Sequence, residues 1–209
     1  TRPERLRTVA NDIVRHFVGR GFSGKAMYVG LDKAAAVRMY DYVSEAWAEY
    51  LAELRAEHDA LPELERPWLA SRIELMESTD MAVVVSQSQN EIAHLDALGL
   101  DIRPHRERMV NEDLAEKFKA PTDPLRLVFV CAMWMTGFDA PSVSTIYLDR
   151  PMRNHTLMQT IARANRVFPD KDNGLIVDYI GVFRNLEHAL AIYGAANAGD
   201  SPIEIIDAL

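Results

Sequence analysis

Five short apolar runs, each separated from the next by other chain, most narrow what this sequence can fold into. They are Lys25–Leu31, Met81–Val85, Leu125–Cys131, Ser144–Leu148 and Gly174–Val177. Short runs rich in β-branched and aromatic residues read as strands, and runs without polar alternation read as strands covered on both faces. Helical patterns lie around them. Leu6, Val9, Ala10, Ile13, Val14 and Phe17 fall on one stripe of a helix over 4–19, which Gly19 and Gly21 end. Asp32 caps a second helix predicted to run to about Glu57, and further helices are expected over 90–98, 112–119, 156–165 and 182–193. Strands alternating with helices predict an α/β fold, a mainly parallel sheet flanked by helices. Ligands of such sheets sit at the carboxyl ends of the strands. Chemistry is therefore expected just after Leu31, Val85, Cys131, Leu148 and Val177.

Charge and composition remove several function classes. The 209 residues carry a net charge of −8, which excludes a uniformly basic nucleic-acid binder but not a local basic face. Residues 41–77 hold ten Asp or Glu against three Arg. This stretch reads as a solvated helical insertion over about 41–78, with a contact surface for another domain of the same polypeptide as the runner-up. No run is long and apolar enough to span a membrane. The single cysteine, Cys131, excludes an internal disulfide framework and a multi-cysteine zinc site, and no metal site is expected. One cysteine without an export signal points to the cytoplasm. The chain opens on Thr1, not Met, and reads as one piece, 1–209, of a longer polypeptide.

A stand-alone enzyme is poorly provided for. There is no G-x-x-x-x-G-K-[ST] loop, no G-x-G-x-x-G after a strand, no H-E-x-x-H and no G-x-S-x-G. Two constellations remain. After the strand ending at Cys131, Thr136, Gly137 and Asp139 offer a hydroxyl, a tight turn and a carboxylate, suited to phosphate and ribose oxygens. Alone, this is better explained by an ordinary glycine turn, with the Asp satisfying backbone amides. Gln159, Arg163 and Arg166 share one face of the expected helix, a donor array suited to phosphate oxygens. Alone, that face is better explained as a solvated or salt-bridged one. Together the two are more telling: residues 126–166 hold five Arg against two Asp, so the acidic chain concentrates positive charge here.

The blocks Thr136–Pro141, Tyr147–Pro151 and Gln159–Val167 resemble helicase motifs V and VI, in the version of the motor (R) subunit of type I restriction enzymes. Gly24–Val29, Met81–Ser86 and Gly174–Gly181 resemble that family's neighbouring strands, so the likeness covers nearly the whole chain. The family usage has Ala162 where the wider superfamily has Gly. The resemblance implies the second RecA-like lobe of an ATP-dependent DNA translocase. It implies that Arg166 and Arg163 reach the γ-phosphate, with Arg166 the finger. Gln159, Gly137 and Asp139 would serve ATP, and Thr136, Ser86 and Lys33 the DNA backbone. ATP and Mg2+ would be held mainly by a first lobe on the same polypeptide. Double-stranded DNA, that first lobe, a nuclease domain, and separate modification and specificity subunits are the implied partners; the isolated piece is expected to be inactive. Two other readings compete: a motor lobe of a repair or remodelling helicase, and a non-catalytic α/β interaction module.

Smaller features read blandly. Cys131 is expected to be a core thiol, Trp134 and Phe138 to pack, and the polar run Pro104–Arg108 to be a surface loop.

Overall fold

Six strands form one sheet in the order β2-β3-β1-β4-β5-β6, with every neighbouring pair parallel. They are β1 (Lys25–Gly30), β2 (Asp80–Val84), β3 (Leu125–Val130), β4 (Val143–Asp149), β5 (Leu175–Asp178) and β6 (Glu204–Asp207). This is a computed structural model, and it describes residues 2–21, 24–135, 138–152, 174–182 and 204–207. The first five strands coincide with the five apolar runs to within a residue at each end. The sixth, over Glu204–Asp207, was not anticipated. The helices expected over 156–165 and 182–193 lie, Val182 apart, outside the described residues.

Helices pack on both faces of this parallel sheet, which is why the runs lack polar alternation. Successive residues feed opposite layers. Tyr28, Phe129 and Tyr147 face a core shared with α1 (Pro3–Gly19), α2 (Lys33–Ala60) and α3 (Pro67–Glu77). Met27, Val29, Val128, Val130, Ile146 and Leu148 face a second core with Leu114 and Phe118 of α6 (Leu114–Lys119). Two shorter helices, α4 (Glu91–Asp96) and α5 (Arg103–Asn111), lie between β2 and α6 in the chain.

The acidic stretch 41–77 is the outer part of α2, a 3-10 turn over Glu63–Glu65, and α3. Its acidic residues are largely solvated, while Val43, Ala46, Trp47, Leu54, Leu69 and Met76 are buried in the main core. The Trp47 indole N–H donates to the Met76 carbonyl at 3.2 Å, tying α2 to α3.

The polar run Pro104–Arg108 is not a loop. It lies in α5, where Pro104 occupies the first turn and needs no N–H partner. His105 is buried with its ring 4.6 Å from that of Tyr40, and burial lowers its pKa. Cys131 is a buried thiol, as expected, and burial pushes its pKa up.

One buried charge escapes the apolar pattern. Lys25 opens β1 and is 1% exposed, with its Nζ donating to the Lys117 carbonyl at 2.7 Å. Burial, partly opposed by Asp123, pulls its pKa from 10.5 to about 8. Between these values the unfolded chain binds more protons than the folded one, so stability rises as pH climbs from about 8 towards about 10.5. The gain should be about 2 kcal/mol once solvent screening at the sheet's end is allowed for. Urea midpoints at pH 7 and pH 10 should therefore differ more in wild type than in Lys25→Met. An identical pH response in the two proteins would show that Lys25 does not carry this linkage.

Candidate functional site

The carboxyl ends of β1 and β2 meet in a charged network. Asp32, just past β1, accepts from the Ala35 amide at 2.7 Å and starts α2. Lys33 follows it, and its Nζ donates to Ser88 Oγ at 2.8 Å and lies 3.5 Å from Glu91 Oε2. Glu91 is buried and receives Nε and Nη2 of Arg106 at 2.8 and 3.0 Å, and the Ser88 amide at 3.2 Å. Burial favours the neutral acid, but the bonds from Arg106 and Ser88 outweigh it and hold the Glu91 pKa below its usual value. The same guanidinium donates to the carbonyls of Val85 and Ser86 at 3.2 and 3.3 Å, so α5 is clamped to the exit of β2.

Lys33 and Ser86, two of the expected DNA-facing residues, are thus joined through Glu91 and Arg106. Ser86 is exposed and lines a cleft of about 460 Å³ with Gln87, Arg106, Met109, Met133 and Trp134. Two cations share one buried carboxylate here. Asp32 beside Lys33, and Glu112 and Asp113 on the cleft wall, add carboxylates around these two cations.

Beyond β3 the chain turns at Trp134, which takes φ +64, a left-handed conformation uncommon outside glycine. Its ring stacks on Phe138 at 4.3 Å and on Phe118 at 5.6 Å, which is the packing role expected of both. Asp139 is exposed and is among the carboxylates that favour the charged form of Lys119, after Glu116 and Asp113. Thr136 and Gly137, like Gln159, Arg163 and Arg166, lie outside the described residues.

The ends of β4 and β5 carry a second network. Asp149, the last residue of β4, is 8% exposed. It accepts from Arg5 at 2.6 and 3.3 Å and from the Tyr28 hydroxyl at 2.9 Å. The bond to Asp149 strengthens the charged state of Arg5 against burial, and burial together with Asp149 pushes the Tyr28 phenol well up. Arg150 donates to the Cys131 carbonyl, joining the exits of β4 and β3. Asp178 ends β5 and accepts from the amides of Ile180 and Gly181 at 3.0 Å each.

Sequence reading missed Arg5 and Glu91, and met Arg106 only as part of a polar run, a surface loop with a DNA phosphate contact as the lesser reading. The one signal available was Asp149-Arg150, a charged pair closing an apolar run. Nothing in the pattern of α1 sets Arg5 apart from other solvated arginines. Among the described residues, no three His, Cys, Asp or Glu side chains converge as a metal site, and no helix is long and apolar enough to cross a membrane.

Residues 69–181 match the family described as type I restriction enzyme subunit R domain 3. The MjaIXP endonuclease subunit of Methanocaldococcus jannaschii, named as a type I restriction enzyme, is 35% identical over 203 residues, covering 96% of this chain and 16% of that protein. The type I restriction enzyme HindI endonuclease subunit of Haemophilus influenzae is 36% identical over 195 residues, covering 91% of this chain and 16% of its own. The chain thus spans about one sixth of the length of these curated relatives. The solved C-terminal domain of S. cerevisiae Dbp5 aligns at TM-score 0.49 and 12% identity, over 96% of this chain and 84% of its own, a likeness too slight to bear on function. Matched over more than half its length, the chain belongs to the family of type I restriction enzyme subunit R domain 3.

Proposed function

We propose that this chain is the second motor lobe of an ATP-dependent DNA translocase within a type I restriction enzyme R subunit. One observation carries the reading. The family match contains both phosphate-suited blocks, and each follows in sequence a strand of the parallel sheet, β3 for the first and β4 for the second. Thr136, Gly137 and Asp139 follow β3, and Gln159, Arg163 and Arg166 lie in the connection from β4 to β5. Ligands of parallel sheets gather at the carboxyl ends of the strands.

In this reading Arg166 and Arg163 stabilise charge on the γ-phosphate, and Gln159, Gly137 and Asp139 attend the nucleotide. Thr136, Ser86 and Lys33 meet the DNA backbone, a contact that carries no sequence information and so suits a motor that moves along any duplex. In this reading Mg2+ and most of the ATP contacts belong to a first lobe on the same polypeptide. The nuclease domain and the modification and specificity subunits are its further partners.

The test is ATP hydrolysis by the full-length subunit with and without duplex DNA, beside the 209-residue chain alone. Turnover should require the full-length protein and rise with DNA. A full-length subunit that hydrolyses no ATP would instead favour a non-catalytic interaction module. Its best-placed feature is the exposed pair Leu64 and Trp68, 94% and 50% accessible, on the acidic stretch.

A further inference from the structure

Helix α2 leaves the carboxyl end of β1 at Asp32 and runs back over the sheet. Its 28 residues make about 42 Å of helix, against roughly 20 Å for β1. Past Trp47 only Leu54 of this helix is buried. Helix α3 returns to the amino edge of the sheet, where Arg126 of β3 donates to the Ser78 carbonyl at 2.8 Å. The corner between α2 and α3 therefore projects past that edge, away from the strand ends that hold the candidate site.

Pro62, Leu64, Pro67 and Trp68 are exposed on this corner. Leu64 is 94% accessible, the highest value for a large apolar side chain among the described residues, and Trp68 is 50% accessible. Apolar side chains scattered singly over a surface are ordinary, but these two share one short corner. Pro62 and Pro67 restrict the backbone on either side of Leu64. The Arg72 guanidinium lies over the Trp68 ring, 4.8 Å from its centroid. The apolar anchor is thus largely ordered before anything meets it, which lowers the entropy cost of docking.

The corner is rimmed by acid. The three arginines of residues 41–77 are engaged locally: Arg55 pairs with Glu77 at 2.7 Å, Arg66 donates to the Leu61 carbonyl at 2.8 Å, and Arg72 covers Trp68. Glu57 and Glu63 are exposed and make no ion pair among the described residues. Uncompensated carboxylates around an aromatic anchor repel phosphate and suit a basic rim around an apolar pocket. Two apolar side chains fall well short of the roughly 1,000 Å² that a partner meeting them in dilute solution needs. A domain tethered to the same polypeptide meets them at an effective concentration of about millimolar, where a small contact suffices. The curated relatives have about five sixths of their length outside the part that matches this chain.

We propose that the corner carrying Leu64 and Trp68 docks into a basic-rimmed apolar pocket on another domain of the same R-subunit polypeptide. The proposal rests on the family to which the chain belongs and not on the motor reading, and its test involves no ATP.

The test places the photo-cross-linker p-benzoylphenylalanine at position 64 of the full-length subunit, where high exposure makes the replacement harmless to the core. Irradiation should join position 64, within one polypeptide, to a Lys- or Arg-rich peptide outside the 209 residues described here. Glu57→Lys with Glu63→Lys should lower the yield about fivefold or more, because like charges then face each other across the contact. Hydrogen exchange supplies a second measurement without the cross-linker. In Leu64→Ser with Trp68→Ser, amides of that same distant peptide should exchange about tenfold faster, the loss expected when an aromatic anchor is removed. Amides of β1 and β3 should keep wild-type protection, which shows that the fold is intact. Absence of a cross-linked peptide would overturn the proposal. So would a cross-link to a second copy, to DNA or to an added modification or specificity subunit, as would wild-type exchange in the distant peptide of the double variant.

Discussion

Replacing Arg166 with Ala in the full-length R subunit is expected to lower DNA-stimulated ATP turnover by about 10³-fold or more, the usual worth of an arginine that meets a transferring phosphoryl group. In the proposed motor the guanidinium would supply two parallel donors and a permanent charge to oxygens whose negative charge grows as the γ-phosphate departs. Arg166→Lys keeps the charge and loses the fork, so it should recover only part of the rate. In the proposed role the side chain serves the nucleotide and not the fold, so the thermal midpoint should match wild type. Steady-state kcat measured beside that midpoint separates lost chemistry from lost structure. Turnover within about twofold of wild type would remove Arg166 from the phosphoryl-transfer step.

The second large effect is on stability, at Gly24. This residue enters β1 with φ +126, a backbone conformation that residues with a side chain rarely adopt. A Cβ there would lie 2.4 Å from Ser144 Oγ and 2.7 Å from Ser144 Cβ, both on the neighbouring strand β4. The hydroxyl can rotate away, but the Cβ cannot. Gly24→Ala should therefore cost about 3 kcal/mol or more, from backbone strain and overpacking together. The penalty should reach the sheet's centre, because the next residue's amide donates to the Ser142 carbonyl at 2.8 Å and sets the β1–β4 pairing. A double-mutant cycle with Ser144→Gly separates the two contributions, since the partner change relieves the overlap and leaves the dihedral strain. Urea unfolding of the four proteins reads the cycle. A single Gly24→Ala variant as stable as wild type would show that the entry to β1 can be rebuilt at no cost.

The sheet was legible because burial on both faces leaves a plain mark. Val128, Phe129 and Val130 must all be apolar in a central parallel strand, whichever way each points. Helix α1 was legible for the same reason, through the stripe from Leu6 to Phe17. Periodicity is silent about polar residues that find partners far along the chain. Arg5 and Asp149 are 144 positions apart, and each looks like a surface charge by itself. Lys25, the charged residue that opens the first run, lies fully inside, and nothing in the pattern names its partner. The run Pro104–Arg108 misled because Pro punctuates loops, yet it is equally at home in a helix's first turn. Of the candidate site, Lys33 and Ser86 were found as strand-end residues, whereas Glu91 and Arg106, which bind them together, carry no motif.

The strand order also dictates how the protein must be made. Strand β1 sits between β3 and β4, and about 120 residues of chain separate it from β4. At about 5–20 residues per second, a ribosome needs roughly 6–24 s to deliver that neighbour. Until then, Ala26 to Gly30 have an unpaired edge, and Arg5, His16 and Arg20 have no β4 partners. Late pairing across a long separation makes folding slow and leaves apolar edges open to other nascent chains. A polypeptide stalled before Val143 is therefore a ready target for chaperones and proteases, and helix α1, which precedes every strand of the sheet in the chain, is among the last elements to be secured.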